Sequence, residues 1–464
     1  MSTSILDLPT EVLDHIFDFL PFINRQHAKL VCRRWNQLLS APRYMKATQL
    51  NLTPDFHRRW SADDLLRFAS QGKLHSIRLV EASGRGDNFS QESLASIVQL
   101  LEAGCYSLEK IQLDGCTDSF LRAVFDALGK MRRMRNLIFF LGEESTELPK
   151  IPVTGPEPIG FSFVTNLDLG LTKASCLELV NSLASQLTCV SLHVRVKDLL
   201  EQFLNELHLP ALHSLALYDY TPDNQGTIEP GALGDGCWRI LAQLKTLRIR
   251  NNFMFCAVLT EMISHCQNIK HLTLEHCLIS MQCMKQIGAF KGLKELYLIS
   301  YNPWGFIRRE GESLLDLPNL EHLSLSLEAK IKFGKLPKLT SVTINGGGEM
   351  TNPKAILSEI KKIDGIGGRR LRKLHMTNVT LDWEANELIR AFWVDLVSFD
   401  NCDSDGSLLD VLANAGTQRR ITRIRLTDDC TFTFQIEEYY RIRTVDDLRR
   451  RCPYLQITET PSQL

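Results

Sequence analysis

The densest group of metal-ligating side chains in the sequence lies between residues 264 and 277. Its members are His265, Cys266, His271, His276 and Cys277. Neutral imidazole and thiolate are the ligands that zinc prefers in proteins. However, Cys105 and Cys116 have the same separation as the two cysteines here, in a stretch without neighbouring histidines. The ligands would also be divided between the two ends of one strand, so we expect no metal site and no cofactor.

Nucleophile and phosphate motifs are the next chemistry to consider. The sequence has no Gly-x-Ser-x-Gly turn, no His-Glu-x-x-His pair and no glycine loop ending in Gly-Lys-Ser or Gly-Lys-Thr. The glycines at 346–348 and 365–368 are not followed by Lys-Ser. We therefore predict no catalytic residues, and a chain that is not an enzyme.

A repeated phrase, Leu-x-x-Leu-x-Leu with other apolar residues allowed, dominates the rest of the chain. It recurs fourteen times, beginning at Leu74, Leu108, Met134, Val164, Leu187, Leu212, Leu244, Ile269, Leu293, Leu320, Leu339, Leu371, Leu396 and Ile421. The weakest copy is Leu396-x-x-Phe399-x-Asn401. A spacing of about 27 residues is typical of leucine-rich repeats. Short pieces at 50–52 and 455–457 are expected to be the opening and closing strands.

Each phrase predicts one strand of a parallel sheet, and the amphipathic stretches between phrases, such as 93–101 and 257–263, predict helices. The fold class is therefore α/β, a solenoid of about 14 repeats with end caps and a horseshoe curve. Longer stretches at 142–160, 220–236 and 346–368 interrupt the spacing and are predicted insertions. In three copies a Cys or Asn follows the phrase, and we expect Cys116, Asn252 and Cys277 to hydrogen-bond the turn backbone inside the stack.

Strand alternation sends the leucines of each phrase into the stack and the residues between them to the opposite face. That face is the predicted binding surface for a protein substrate, since Arg and Tyr often anchor interfaces. The substrate-binding candidates are Tyr218, Arg248, Arg250, His271, Glu275, Tyr297, His375, Arg423 and Arg425. Each residue alone is also compatible with an ordinary solvated strand position.

The first forty-five residues follow a different, helical pattern. Val12, Leu13, Ile16, Phe17 and Leu20 recur at helical spacing after Pro9 and before Pro21. A second helix is predicted from about residue 24 to residue 39. So short a segment normally has too little core to fold alone, so we expect these helices to pack against something else.

This arrangement, Leu-Pro-x-Glu-Val-Leu-x-x-Ile-Phe-x-x-Leu-Pro followed by Val-Cys-Arg-Arg-Trp-x-x-Leu, resembles the F-box. The resemblance implies docking on the Skp linker subunit of cullin-based ubiquitin ligases. The residues that it implicates in linker binding or in the module's own packing are Leu8, Pro9, Ile16, Phe17, Leu20, Val31, Cys32 and Trp35. The alternative is a helical hairpin that merely caps a larger domain.

An F-box at 1–45 followed by repeats at 46–464 resembles the F-box and leucine-rich-repeat family of substrate receptors. The resemblance implies a non-catalytic adaptor that binds the Skp linker, and through it a cullin, and presents a protein substrate for ubiquitination and proteasomal degradation. The other function considered is a protein-interaction scaffold that works independently of any ligase.

Composition restricts the partners further. The chain has 53 basic and 54 acidic residues, so it lacks the positive charge that favours nucleic acid or anionic membranes. Its thirteen cysteines include no Cys-x-x-Cys pair. No signal-peptide pattern or long apolar run is present, which favours a cytoplasmic or nuclear location. The arginines at 441–451 are compatible with nuclear import or with a solvated helix face.

Overall fold

In the computed structural model of the chain, the structure describes residues 5, 8–20, 22–41, 44, 49–58, 60–72, 74–81, 88–141, 160–221, 227–229, 231–250, 257–277, 279–299, 313–326, 331–346, 353–363, 371–427, 429–433 and 444–460. The chain divides into two compact units. Unit 1 contains residues 1–193 and 207–211, and unit 2 contains residues 194–206 and 212–464. The predicted domain boundary at residue 45 stays a prediction.

Unit 1 begins with three short helices: α1 (Thr10–Asp18), α2 (Phe22–Lys29) and α3 (Arg33–Leu39). The prediction of a single second helix is therefore wrong, because the helical conformation is interrupted between α2 and α3. Cys32 is extended at the break, and its sulfur accepts a hydrogen bond from the backbone N–H of Trp35 at 3.5 Å. A capped helix start of this kind interrupts the helix but leaves the helical spacing of the apolar residues unchanged.

The remainder of unit 1 alternates strands with helices. Its elements are β1 (Gln49–Leu52), α4 (Ala62–Ser70), β2 (Ser76–Val80), α5 (Gln91–Ala103), β3 (Lys110–Cys116), α6 (Asp118–Gly129), β4 (Asn136–Leu141), β5 (Asn166–Leu171), α7 (Ala174–Leu183) and β6 (Cys189–Val194). Short 3-10 helices lie at Phe56–Arg58 and Gly160–Phe163. The strands neighbour one another in chain order. Ser61 and Ser90 cap α4 and α5 by accepting the N–H groups of Asp64 and Ser93.

Unit 2 continues the alternation. Its helices are α8 (Lys197–Glu206), α9 (Asp235–Gln243), α10 (Leu259–His265), α11 (Met281–Gly288), α12 (Lys354–Lys362), α13 (Trp383–Arg390), α14 (Ser407–Thr417) and α15 (Val445–Arg451). The strands of its main sheet are β7 (Ser214–Asp219), β8 (Thr246–Arg250), β9 (His271–Glu275), β10 (Glu295–Ile299), β12 (His322–Ser326), β14 (Ser341–Asn345), β15 (Leu371–Thr377), β17 (Val394–Asp400), β19 (Ile421–Thr427) and β21 (Gln456–Thr460).

Smaller sheets accompany the main one in unit 2. Strands β11 (Ser313–Leu315) and β13 (Ile331–Phe333) form a parallel pair. Strands β16 (Thr380–Leu381), β18 (Asp403–Asp405) and β20 (Thr431–Thr433) form a three-stranded parallel sheet, each strand following the turn after β15, β17 or β19. Within the described part of the chain, no helix is long and apolar enough to cross a membrane.

The predicted strand order and α/β fold class are confirmed. Every predicted phrase coincides with a parallel strand, and in all copies but the one at Leu396 its apolar residues are buried in the predicted register; Leu247, Leu272 and Leu296, for example, lie in neighbouring positions. Short strands of this kind gain most of their stability from such stacked burial. The opening and closing strands also form, as β1 and β21.

One copy has a different register from the predicted one. The copy placed at Leu396 begins two residues earlier, because Val397 pairs with Leu374 and Phe399 with Met376, and the first buried position is Val394. Leu396 instead occupies a half-buried position on the polar face of the sheet. The corrected register places Cys402 at the turn position that Cys116 and Cys277 occupy in their own copies.

The turn role predicted for the cysteines is confirmed. Cys277 Sγ lies 3.5 Å from the carbonyl oxygen of Ile249 and 3.4 Å from that of Glu275, and Cys116 Sγ lies 3.7 Å from that of Asp114. Asn252 lies outside the described residues, as do parts of the predicted insertions at 142–160, 220–236 and 346–368.

Candidate interaction surfaces

The three N-terminal helices have a small core of their own. Phe17 and Trp35 meet edge to face with ring centroids 5.0 Å apart, and Tyr44 contacts Phe17 at 6.4 Å. Leu13, Ala28 and Leu39 complete the buried cluster. All described members of this cluster lie between residues 8 and 44, so the module supplies its own packing, with Tyr44 as an aromatic residue that helical periodicity did not indicate.

Polar side chains fasten the segments around this core. Arg34 donates to the carbonyl oxygen of Leu8 at 2.7 Å, which holds the chain before α1 against α3. The hydroxyl of Tyr44 donates to the carbonyl oxygen of Asp14 at 2.9 Å. Arg25 donates to the carbonyl oxygen of Leu20 at 2.7 Å and lies over the Tyr44 ring. These bonds connect the segments before and after α1, and α1 itself, to side chains elsewhere in the module.

The structure separates the eight residues predicted for linker binding into three groups. Phe17 and Trp35 are core residues. The four that pack half-buried against the core are Leu8, Ile16, Leu20 and Cys32. Pro9 and Val31 are exposed, and Val31 has 56% of its surface accessible. Core members stabilise the module, whereas only the other groups present atoms to a partner.

Exposed apolar side chains extend this surface beyond the predicted set. Phe19 is 75% exposed, Leu30 is 85% exposed, and Val12 is also exposed. We call Val12, Phe19, Leu30 and Val31 the exposed apolar set. Phe19 and Leu30 each follow the end of a helix, where the helical period no longer describes side-chain direction. An apolar run that continues past a helix end is the signal that could have identified them.

On the polar face of the unit 2 sheet, six predicted substrate-binding residues lie on the adjacent strands β7 to β10. Arg248 donates to Glu275 at 2.6 Å and lies over the Tyr218 ring at 5.5 Å. Arg250 Nε lies 3.6 Å from the other carboxylate oxygen of Glu275. We call Tyr218, Arg248, Arg250 and Glu275 the arginine–tyrosine cluster. Two guanidinium groups share one carboxylate, so the cluster has an excess positive charge.

The other two residues of this group continue the same face. His271 Nδ1 lies 3.2 Å from Glu295 across the β9–β10 pair. Tyr297 is half-buried beside Thr273, and burial together with the neighbouring Glu295 raises the pKa of its hydroxyl, which therefore remains protonated as a donor. The face can thus offer both guanidinium and phenol donors to a partner.

The remaining three candidates form a second group on β15 and β19. In register, His375 and Arg425 lie on either side of Ser398, and Lys373 and Arg423 on either side of Leu396. Arg423 and Arg425 are exposed. Burial, and then the Lys373 charge, lower the pKa of His375, whose Nε2 hydrogen-bonds Thr377 at 3.0 Å. We call His375, Lys373, Arg423 and Arg425 the basic group. It places a neutral imidazole next to three cationic side chains.

A strip of small polar residues lies between the two groups. Ser324 pairs with Thr343, and Ser326 with Asn345, on strands β12 and β14. Three strand steps from β10 to β15 correspond to roughly 14 Å at the usual strand spacing. The nine predicted residues therefore share one face of one unit but form two separate groups.

The residues considered as zinc ligands are engaged in other contacts. Cys266 is buried with its sulfur near the carbonyl oxygen of Met262, and the His265 ring stacks on Trp238 at 4.3 Å. His271 faces Glu295 instead. Burial and the Arg250 charge lower the pKa of His276. Among the described residues, no group of three or more possible ligands could hold a metal ion.

Two of the three arginines of α15, Arg449 and Arg450, form ion pairs. Arg449 binds Asp446 at 2.9 Å and Glu459 at 2.5 Å, and Arg450 binds Asp447 at 2.8 Å. Arg441 and Arg443 lie outside the described residues. This pairing is what a solvated helix face requires, since each of these two basic side chains is matched by an acidic neighbour.

Comparison with known proteins identifies one domain. Residues 5–46 match the family model of the F-box domain. Among curated proteins, none matches the chain.

Three solved structures that match this chain share little sequence with it. A chain of the yeast Rad7–Elc1 complex is 15% identical, with 96% of this chain and 100% of that chain covered and a TM-score of 0.34. The TLR13–ssRNA13 complex gives 12% identity, coverages of 84% and 62%, and a TM-score of 0.34. A Bacteroides fragilis protein gives 15% identity, coverages of 55% and 68%, and a TM-score of 0.32. Scores this low carry no argument about function.

Proposed function

We propose that the chain is the substrate-recognition subunit of a Skp–cullin–F-box ubiquitin ligase, because it carries an F-box domain ahead of leucine-rich repeats. Its F-box binds the Skp linker, and through it a cullin, while the polar face of the repeats binds a protein destined for proteasomal degradation. In ubiquitin transfer the chain itself supplies no acid, base or nucleophile. It accelerates ubiquitin transfer by holding the substrate close to the ubiquitin-conjugating enzyme.

The observation that carries this proposal is the apolar surface of the F-box. Five of the twelve large hydrophobic side chains that are exposed in the described part of the chain lie within residues 5–31. Such a concentration is costly in water and is typical of an interface. The module already has its own core, so this surface is available for a partner.

A direct test measures binding of the purified Skp linker by calorimetry. The variant combines Phe19→Glu, Leu30→Glu and Val31→Glu. All three side chains are exposed, so the fold should survive, whereas placing charges in an apolar interface should reduce affinity by about a hundredfold or more.

The matched control is Tyr106→Glu, which changes another aromatic side chain that is 70% exposed in unit 1. It should bind the linker as the unchanged chain does. If the triple variant retains full affinity and an unchanged circular dichroism spectrum, linker binding through this surface is wrong.

Substrate binding is assigned to the arginine–tyrosine cluster and the basic group because arginine side chains are concentrated there: Arg248 and Arg250 contact one carboxylate, and Arg423 and Arg425 are exposed. On the corresponding face of unit 1, Arg78 is matched by Asp114 at 2.6 Å and His193 by Asp168 at 3.0 Å. In unit 2, by contrast, two guanidinium groups share the single carboxylate of Glu275. A substrate segment with acidic side chains would balance this charge.

The rival is a ligase-independent scaffold, in which the helices only cap the repeats. Deleting residues 1–45 distinguishes the two functions. The adaptor loses linker binding and keeps folded repeats, whereas a capping role predicts that the repeats aggregate or unfold.

A further inference from the structure

Two cysteines meet at an edge of the small three-stranded sheet in unit 2. Cys402 directly precedes β18 and Cys430 directly precedes β20, and the register that pairs Asp403 with Thr431 places the two cysteines opposite each other. The N–H of Thr431 donates to the carbonyl oxygen of Cys402 at 3.0 Å. Adjacent parallel strands separate their Cα atoms by about 4.8 Å, which lies inside the range that a disulfide can bridge.

The two thiols differ in their surroundings. Cys402 is buried, and its sulfur lies 3.4 Å from the carbonyl oxygen of Met376 and 3.3 Å from that of Asp400. Cys430 is only half-buried, and Thr427 Oγ1 lies 3.7 Å from its sulfur. One thiol is therefore held inside the turn, and the other has access to solvent.

The hydrogen bond between the two cysteines shifts the pKa values of their thiols in opposite directions. The Cys402 thiol donates to Cys430 and lowers the pKa of Cys430 to about 6, assisted by Thr427. Donation to Cys430, together with burial, raises the pKa of Cys402 far above its usual range. Near neutral pH the accessible sulfur is thus a thiolate and the buried sulfur is a thiol, which is the arrangement of an attacking and a resolving cysteine.

We propose that Cys402 and Cys430 form a peroxide-sensitive thiol pair that closes to an intrachain disulfide. Nothing in the adaptor function requires this site. The bond would join the turn that follows β17 to the turn that follows β19, where the N–H of Asn401 already donates to Thr427.

The oxidation balances with a hydroperoxide as the oxidant. The Cys430 thiolate attacks the peroxide oxygen, the O–O bond breaks, and the departing alkoxide or hydroxide takes a proton from water. Cys430 becomes a sulfenic acid. The Cys402 sulfur then attacks the sulfenic sulfur, the S–O bond breaks, and the Cys402 proton leaves with the hydroxide as water. Two thiols lose two electrons, and the peroxide gains them.

The first measurement is the pH profile of alkylation on the reduced full-length chain. Iodoacetamide labelling is read at each cysteine by peptide mass spectrometry. The rate at Cys430 should reach half its plateau near pH 6, following its pKa of about 6. In Cys402→Ala the midpoint should rise, because the side chain that donates to Cys430 is removed. A midpoint near that of a free cysteine, or one that Cys402→Ala leaves unchanged, would overturn the proposal.

The second measurement identifies the product. Hydrogen peroxide should yield a peptide pair linked through Cys402 and Cys430, and dithiothreitol should release it. In Cys402→Ser, which lacks the resolving sulfur, a dimedone adduct should instead trap Cys430 sulfenic acid. Cys277 occupies the same turn position in another repeat and should remain unmodified. Recovery of both peptides unlinked after peroxide treatment would contradict the pair.

Discussion

The F-box and the repeats bury their apolar side chains by different rules. In the F-box, neighbouring positions of one helical pattern differ in burial, since Leu13 is buried and Val12 is exposed. In the repeats, successive strands place their apolar residues in the same buried register, and the residues between them on one polar face. A module with a small core leaves apolar surface for a partner, whereas stacked strands leave mainly polar surface.

The difference also concerns how each region binds. The exposed apolar set of the F-box can gain free energy by removing hydrophobic surface from water, a contribution that ionic screening does not weaken. The arginine–tyrosine cluster offers charge and directed hydrogen bonds, which depend on matched geometry and are weakened by salt. The F-box therefore offers apolar contact to a partner, and the unit 2 face offers charge and hydrogen bonds.

The largest expected effect separates core from surface within the F-box. Phe17→Ala removes a fully buried ring that contacts Trp35 and Tyr44, so it should destabilise the module by about 3–5 kcal/mol. Hydrogen exchange of residues 8–41 should accelerate strongly. In Leu30→Glu the same amides should exchange as in the unchanged chain. Equal acceleration in both variants would remove the distinction between core and exposed residues.

The next largest effect is a loss of stability in unit 2 that leaves linker binding by the F-box unchanged. A Cβ on Gly346 would overlap the carbonyl oxygen of Asn378, so Gly346→Ala should destabilise unit 2 by about 2–3 kcal/mol. Gly292→Ala is the control, because the nearest atom there is 3.8 Å away. Thermal unfolding should show a lower midpoint only for Gly346→Ala. Linker binding measured below that midpoint should be unchanged, and its loss would mean that the F-box depends on unit 2.

A smaller effect tests the polar face. Arg248→Ala combined with Arg250→Ala should weaken substrate binding by about tenfold or more, with linker affinity unchanged. Arg78→Ala is a matched control, because Arg78 is also paired with a carboxylate, on the corresponding face of unit 1, and is comparably exposed. Fluorescence titration with the captured substrate provides the measurement. Equal losses in both variants would argue against a specific site in unit 2.

The smallest effect is a pH dependence. Burial and then Lys373 lower the pKa of His375, while Asp400 opposes them, and Arg425 lowers it further. The folded chain therefore binds fewer protons than the unfolded chain just below the ordinary value of 6.5. Stability should be fully present above this pH and should fall as the pH decreases. The pKa of His276 is also lowered, so this residue acts in the same direction.

The test compares the thermal unfolding midpoint at pH about 7.5 with that at pH about 5.5. His375→Gln should show a smaller decrease than the unchanged chain, and the remainder should include the contribution of His276. An identical decrease in both chains would show that His375 does not contribute.

The sequence predicted the repeats well because strand burial has a period of two and each copy repeats the same solution. It failed at Leu396, where Val394, Val397 and Phe399 offered an equally apolar alternative that only pairing with β15 decides. It also predicted one helix across Cys32, since a cap leaves the apolar spacing intact. In the candidate site it indicated the correct face but not the grouping, because the sharing of Glu275 by two arginines depends on contact across strands.

The most direct test of the adaptor function is quantitative mass spectrometry of proteins that co-purify with the full-length chain from cells. We expect the Skp linker and a cullin to be present with the unchanged chain and with Tyr106→Glu. With the Phe19→Glu, Leu30→Glu and Val31→Glu variant, both should be lost while proteins bound through unit 2 are retained. Retention of the linker and cullin by this variant would contradict the account.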